Sequence, residues 1–390
     1  MTWTPLAFDA PLTAYDAQAA TLYDAWREGD TDAVTLLRHT LPRFLRQDVP
    51  WLPRHVTDAD IRHAPLALDD ARLATARAYD FRDWESLASH VAAAGDQDSL
   101  VSRFEALVEA VVDGDVASLE HALAADPSLV HARSSRITPF DPPVHRATLL
   151  HYVAANGVEQ HRQRTPSNAL DVARALLDAG ADPDALADLY GGQCTTLTLL
   201  VSSDHPARAG VQTALIDLLA TRGARLSPHG AGPWRCPVQT ALVFGFLDAA
   251  NALARHGAPV DRLPLAAGLG RAAEVRELLS AAPPASRHEA MALAVQNGQV
   301  DALRVLLDAG EDPGRFNPEG FHAHATLLHQ AVAAGQVAVV RLLVAYGAPL
   351  EQRDRHHDAT PLRWAEYLGQ AEAAEVLRTA EGGGTRTSGV

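Results

Sequence analysis

TLLHYVAANG (148–157), TLLHQAVAAG (326–335) and TPLRWAEYLG (360–369) are three renderings of one ten-residue phrase. Looser copies are EALVEAVVDG (105–114), TLTLLVSSDH (196–205), CPVQTALVFG (236–245), DRLPLAAGLG (261–270) and EAMALAVQNG (289–298). Self-similarity of this kind marks a stacked array rather than a single globular core. Most copies are followed by a second apolar phrase ending in glycine: LLDAGADPDA (176–185), LLATRGARL (218–226), LARHGAPV (253–260), LLDAGEDP (306–313) and LLVAYGAPL (342–350). Each copy therefore reads as a helical hairpin, an inner helix followed by an outer one.

The phrase has a mechanical reading. Thr148, Thr326 and Thr360 stand where a hydroxyl caps the inner helix, and Pro361 takes the first helical position, where no amide hydrogen is missed. The sixth position is small in most copies: Ala110, Ala241, Ala266, Ala294, Ala331 and Ala365. Alanine there lets neighbouring hairpins approach, where leucine would hold them apart. Gly157, Gly245, Gly270, Gly298, Gly335 and Gly369 should end the inner helices. Gly180, Gly223, Gly257, Gly310 and Gly347 should provide left-handed caps for the outer ones.

TPLxxAxxxG followed by LLxxGAxxx resembles the ankyrin repeat, over roughly residues 104–383. Thr326 and Thr360 are 34 residues apart, close to the family period of about 33. The resemblance implies an all-α solenoid whose fingers and inner helices form a concave, partner-binding face. It also implies that His151 and His329, fourth in the phrase, are structural hydrogen-bonding groups. The spacing departs from the pattern at both extremes. Cys236 to Asp261 and Asp261 to Glu289 are short, leaving no room for a projecting finger. The first three junctions are enlarged, and VEQHRQRTPSNA and SSDHPARAGVQ insert between inner and outer helices. Insertions in an array collect on one face and often build its binding surface.

The expected organisation is a helical domain at 1–98, an array of about eight repeats at 99–383, and a flexible tail at 384–390. Within the first, residues 20–41 fit the template as a degenerate repeat, with Ala25 sixth and Gly29 tenth. This arrangement resembles that of other bacterial ankyrin proteins, a resemblance that carries no assigned activity. Residues 70–93 read as two short helices around a turn bearing Phe81 and Trp84. They are expected to cover the first repeat; a helix-turn-helix DNA reader is the alternative. At the other end Ala371, Glu372, Ala374 and Glu375 make the last hairpin a polar cap.

Composition narrows the function. The 33 basic residues are all arginine, which removes Schiff-base lysines and the P-loop GKS/T. A formal charge of −15 disfavours sequence-independent binding to nucleic acid or anionic lipid. Cys194 and Cys236 lie far apart with no CxxC, so neither a disulfide framework nor a cysteine zinc site is expected. No apolar run approaches the roughly 20 residues of a membrane span, and the start lacks signal-peptide character. A cytoplasmic, monomeric protein without a cofactor is the expectation.

No GxSxG, GxGxxG or HExxH is present. The glycines of YGGQCTTLTL (190–199) lead into a repeat helix that Thr196 is expected to cap. Of the 18 histidines, His322 with His324, His356 and His357 with Asp354, and His145 near His161 are the candidates for metal ligands, and none has a ligand spacing. An enzyme built on His145, His161, Tyr190 and His205 around the insertions is the second reading. The first is a module that holds a protein or peptide, with anchors on the loops of residues 136–240 and on the later fingers. The candidates are His145, Arg146, Tyr190, Gln193, His205, Trp234, Arg235, Phe316, Phe321, His322, Arg353, Arg355 and His356. Aromatic and arginine side chains supply most interface hot-spot energy. The competing role for Phe316, Phe321 and Trp234 is to fold back and plug gaps between uneven repeats.

Overall fold

Small hydroxyl side chains open five of the inner helices; the others follow Cys236, Arg262 and Pro283. Ser99 accepts from the Ser102 amide at 2.9 Å, Thr195 from Thr198 at 3.2 Å, Thr326 from His329 at 3.4 Å and Thr360 from Arg363 at 3.3 Å. Thr148 takes the same extended capping position ahead of Leu149–Val153. One register differs from expectation: Thr195, not Thr196, is the cap, and Thr196 is the first residue of the helix. Thr198 then takes the place that His151 and His329 hold in their repeats.

The computed structural model describes residues 3–47 and 52–384; of the tail expected at 384–390, residues 385–390 lie outside them. The described helices after residue 99 form eight hairpins. They are 100–113 with 116–125, 149–153 with 169–178, 196–200 with 212–221, 237–243 with 247–255, 263–268 with 272–279, 284–296 with 300–308, 327–333 with 337–345, and 361–367 with 371–384. The described strands are Ala187–Leu189 and Gly192–Cys194, an antiparallel pair within the second junction, just before the third hairpin.

Two compact units are present. One comprises residues 1–224 with 229–232, the other 225–228 with 233–390. The division falls inside the stretch expected to form one array, whereas residue 98 lies within the first unit. There, the helix Trp84–Ala94 packs directly on Leu100–Asp113.

Within each unit, inner helix packs on inner helix and outer on outer. Of the six sixth-position alanines, Ala241, Ala266, Ala294, Ala331 and Ala365 are fully buried and Ala110 nearly so. All eleven glycines expected to terminate helices have positive φ. Gly298 serves a second purpose: a Cβ there would collide with Oε1 of Gln336, the residue that follows Gly335 in the next repeat. Gln299 sits on Gly270 in the same way, while Gln370 lies at ordinary contact distance from Gly335. The inner-helix glycine is therefore both a left-handed cap and the floor on which the next repeat's glutamine rests.

The N-terminal region packs differently. Leu12–Arg27 and Thr31–Thr40 form a hairpin turning at Gly29, with Asp30 capping the second helix. Its core of Leu22, Val34, Leu37, Leu41, Phe44 and Ile61 is closed by Ala71 and Ala74 of the helix Leu68–Ala78. Ala71 and Ala74 face inward and Arg72 is paired with Asp16 and Asp69 at 2.8 and 3.0 Å, so residues 70–93 form a packing layer. At the far end Ala373, Ala374 and Leu377 are buried while Glu372 and Glu375 face solvent.

Candidate functional site

His151 and His329 tie one repeat to the next. The Thr148 amide donates to His151 Nδ1 at 3.1 Å, so that nitrogen is the acceptor and Nε2 carries the proton. Nε2 donates to the Cys194 carbonyl at 3.3 Å, just before the next cap, Thr195. His329 repeats the arrangement, with Thr326 Oγ1 at 2.7 Å from Nδ1 and Nε2 donating to the Ala359 carbonyl at 2.9 Å, just before Thr360. Burial pushes the His151 pKa down to about 4 and lowers that of His329. Both imidazoles are neutral struts with each nitrogen occupied.

In the first unit the enlarged loops bring together a cluster of charges that sequence reasoning missed. Arg136, in the loop before the second hairpin, donates twice to Glu105, from Nε to Oε1 at 3.1 Å and from Nη2 to Oε2 at 2.9 Å. Its Nε also lies 3.2 Å from Glu159 Oε1. Arg162, from the first insertion, reaches Glu105 at 2.6 Å, Glu109 at 2.7 Å and Glu159 at 3.7 Å. Glu105, Arg136, Glu159 and Arg162 are all buried. Burial alone would raise both carboxyl pKa values, but the guanidiniums outweigh it and hold Glu105 and Glu159 well below the usual range. The four charges cancel, which is the condition under which ions are tolerated in a dry interior. His90 Nε2 lies 3.3 Å from Glu105, and Arg136 is stacked 4.8 Å above the Phe81 ring, so the cluster also holds residues 79–90 against the first repeat. Nearby, the Asp80 carboxylate accepts from the Gln160 amide at 2.7 Å, and its burial pushes the pKa up to about 6.

The cluster relocates one expected anchor. His145 is buried, with Nε2 3.5 Å from Glu159 Oε1, and so does not present itself on the loop surface. Burial pushes the His161 pKa down to about 3, and its ring packs 5.4 Å from that of Tyr79. Tyr190 donates to Asn156 Oδ1 at 2.6 Å, and His205 is exposed on the short helix Asp204–Arg208. Of the four residues proposed for an enzyme, two border the charge cluster, and among the described contacts His205 makes none with the other three. Cys194 ends its strand buried, with Sγ donating to the Leu189 carbonyl at 3.7 Å, and burial pushes its pKa up to about 11. A thiol so protonated is no nucleophile.

The remaining candidates in this unit are placed by backbone. Arg146 and Tyr190 have φ of 57° and 53°, and both side chains are exposed. The Gln193 amide donates to the Ala231 carbonyl at 2.8 Å, and its side chain is half-buried. Only glycine fits at 192, since a Cβ would strike the Ala231 carbonyl.

In the second unit Trp234 is half-buried against Phe244, ring centroids 5.3 Å apart, beside exposed Arg235. Phe321 is buried and packs inward, as a plug would. Phe316 is half-buried beneath the Arg355 guanidinium, which lies 4.1 Å from its ring centroid. Asp354 is buried and accepts from the amides of His356, His357 and Ala359 and from Trp364 Nε1, at 2.7–3.0 Å. Those donors hold its pKa low against the opposing effect of burial. Arg353 pairs with Asp358 at 3.2 Å. His322 and His356 are exposed; His356 stacks on His324, 4.3 Å apart and within 2° of parallel. Trp364 lies 6.0 Å from His324 and 6.3 Å from His357. His324, His357 and Trp364 were not among the expected anchors, although Trp364 is the fifth residue of the 360–369 phrase. Among the described residues no group of three or more His, Cys, Asp or Glu has the geometry to hold a metal ion.

Residues 293–383 match the family model for ankyrin repeats, in three copies. A stretch of 105 residues, 26% of the chain, is 31% identical to the candidate E3 ubiquitin-protein ligase XBAT31 of Arabidopsis thaliana, spanning 22% of that relative. The crystal structure of the human ASB11 ankyrin repeat domain aligns with 70% of the chain and 96% of its own, at 19% identity and a TM-score of 0.38. The chain is an all-α protein of stacked helical hairpins that carries ankyrin repeats.

Proposed function

We propose that this protein is a protein-binding module and not an enzyme. The observation that carries the reading is what the repeats leave over. Stacking consumes the caps, the alanines and the imidazole struts, while exposed aromatic and arginine side chains remain on loops that the stack does not need. In the first unit these are Arg146 and Tyr190; in the second they are Arg235 beside Trp234, Arg353, Arg355 and His356. Side chains of these types on rigidly held loops are the usual source of interface energy. The titratable groups support the same reading: the buried carboxylates are paired, the strut imidazoles have both nitrogens bonded, and Cys194 is held protonated. Use of a concave face formed by the inner helices belongs to this proposal.

The test is affinity purification with wild type and with Trp234→Ala/Arg235→Ala, checked to have equal helical content and melting. Prey proteins lost from the variant are the expected result. Identical prey lists would remove these two residues from the binding surface and count against the module reading.

A further inference from the structure

In the second unit, two neighbouring fingers, residues 313–326 and 349–360, are fastened to each other. The Arg355 amide donates to the His324 carbonyl at 2.9 Å, its guanidinium lies on Phe316, and His356 stacks on His324. We propose that these fingers form a docking surface for an acidic peptide segment of a partner protein, whose carboxylates are taken by Arg355, Arg363 and the imidazoles of His322, His324, His356 and His357. The inference rests on the protein-binding reading and names the chemistry of the partner.

The first argument is charge. The whole chain carries −15 and the two fingers hold three arginines against four carboxylates, but among the described residues none of those carboxylates is within ion-pair distance of Arg355. Asp354 is saturated by four donors, and Asp358 is held by Arg353. Glu311, at the base of the first finger, is shared by Arg287 and Arg315 at 3.6 and 3.7 Å. The other carboxylates in the two fingers are Glu319, in the turn before Gly320, and Glu351, both exposed. Among the described residues neither Arg355 nor Arg363 has a carboxylate partner, and both are exposed. Because the ring of Phe316 orients the Arg355 fork, less side-chain entropy is lost when a carboxylate arrives.

The second argument is the imidazole stack. Two parallel rings 4.3 Å apart would repel each other if both carried charge, and a nearby carboxylate relieves that repulsion. His322 lies 6.2 Å from His324, and His357 lies 6.3 Å from His356. Four imidazoles thus share one corner with a single inward carboxylate, Asp354, whose lone pairs are taken by neutral donors while its charge remains. Burial and the neighbouring His356 hold the His324 pKa down. His329, beneath Trp364, is a neutral strut, and His288 on the neighbouring helix donates to the Phe316 carbonyl at 2.6 Å. An acidic segment adds countercharge beyond that of Asp354, so binding should draw protons onto the stack and tighten as the pH falls.

The experiment is fluorescence anisotropy with the full chain and labelled peptides of about twelve residues, one alternating Asp and Glu with Gly, the other its Asn and Gln counterpart. A single-stranded DNA of equal charge forms a third arm. The acidic peptide should bind at least about tenfold more tightly than the amide peptide, consistent with one or two charge-assisted hydrogen bonds. Arg355→Gln/Arg363→Gln should lose that advantage. Arg341→Gln, on the outer helix Val337–Ala345 and paired with Glu372, should keep it, and His324→Gln/His356→Gln should flatten the gain between about pH 7.5 and pH 6. Equal binding of the two peptides, DNA binding as tight as the acidic peptide, or no effect of Arg355→Gln/Arg363→Gln would overturn the proposal. Should prey depend on Trp234 and Arg235 while the acidic peptide stays unbound, this inference fails alone; the module reading fails only with the prey lists.

Discussion

Replacing Arg162 with Met removes the most connected member of the buried charge cluster. The guanidinium is 1% exposed and contacts Glu105, Glu109 and Glu159. Without it Arg136 alone faces two buried carboxylates, and the interior carries an uncompensated negative charge. Breaking a buried pair in this way costs about 3–5 kcal/mol, far more than the pair itself contributes relative to an apolar replacement. Glu105→Gln added to Arg162→Met restores neutrality, leaving Arg136 beside Glu159 at 3.2 Å. The double variant should therefore be less destabilised than the sum of the single ones, with a coupling of about 1–3 kcal/mol. Urea unfolding gives the free energies. Hydrogen exchange at the amides of residues 84–113 localises the loss, because the cluster fastens the helix Trp84–Ala94 to Leu100–Asp113. A single-variant cost under about 1 kcal/mol, or strict additivity, would show that the cluster is not the dry, balanced network described.

Two further outcomes follow from the repeats and from the buried imidazoles. Gly298→Ala and Gly310→Ala both put an L residue at positive φ, 69° and 90°, at a cost of about 1–2 kcal/mol. Only at Gly298 does the new Cβ strike the next repeat's Gln336, so its melting temperature should drop further than that of Gly310→Ala; equal losses would mean that the glutamine contact carries no weight. The pH dependence has a defined sign. His151 and His161 are pushed from 6.5 down to about 4 and about 3, so the unfolded chain takes up their protons first. Their stabilising effect is complete above pH 6.5 and is lost as the pH falls, by at most ~1.4 kcal/mol per pH unit for each. Asp80, raised from 3.8 to about 6, acts in the opposite direction below about pH 6 and offsets one of them. Urea midpoints should accordingly fall between about pH 7 and pH 5, and the fall should be smaller in His161→Gln; a flat profile in wild type would contradict the burial of both rings.

The hairpins, their caps and their turns were legible because each is written in a window of about ten residues. A threonine satisfies an amide three positions on, a glycine tolerates the left-handed turn, and an alanine permits close approach whatever lies elsewhere in the chain. Even there, the choice between Thr195 and Thr196 was made by which hydroxyl met the helix start once Thr198 had taken the histidine's place. The charge cluster was not legible, because Glu105, Arg136 and Glu159 are separated by tens of residues and come from a helix and two irregular loops. Isolated charges in such stretches read as solvated. Tertiary packing alone decided that His145 turns inward to Glu159 while Arg355 stays outside on Phe316, because burial of a polar group depends on whether a distant partner arrives to satisfy it.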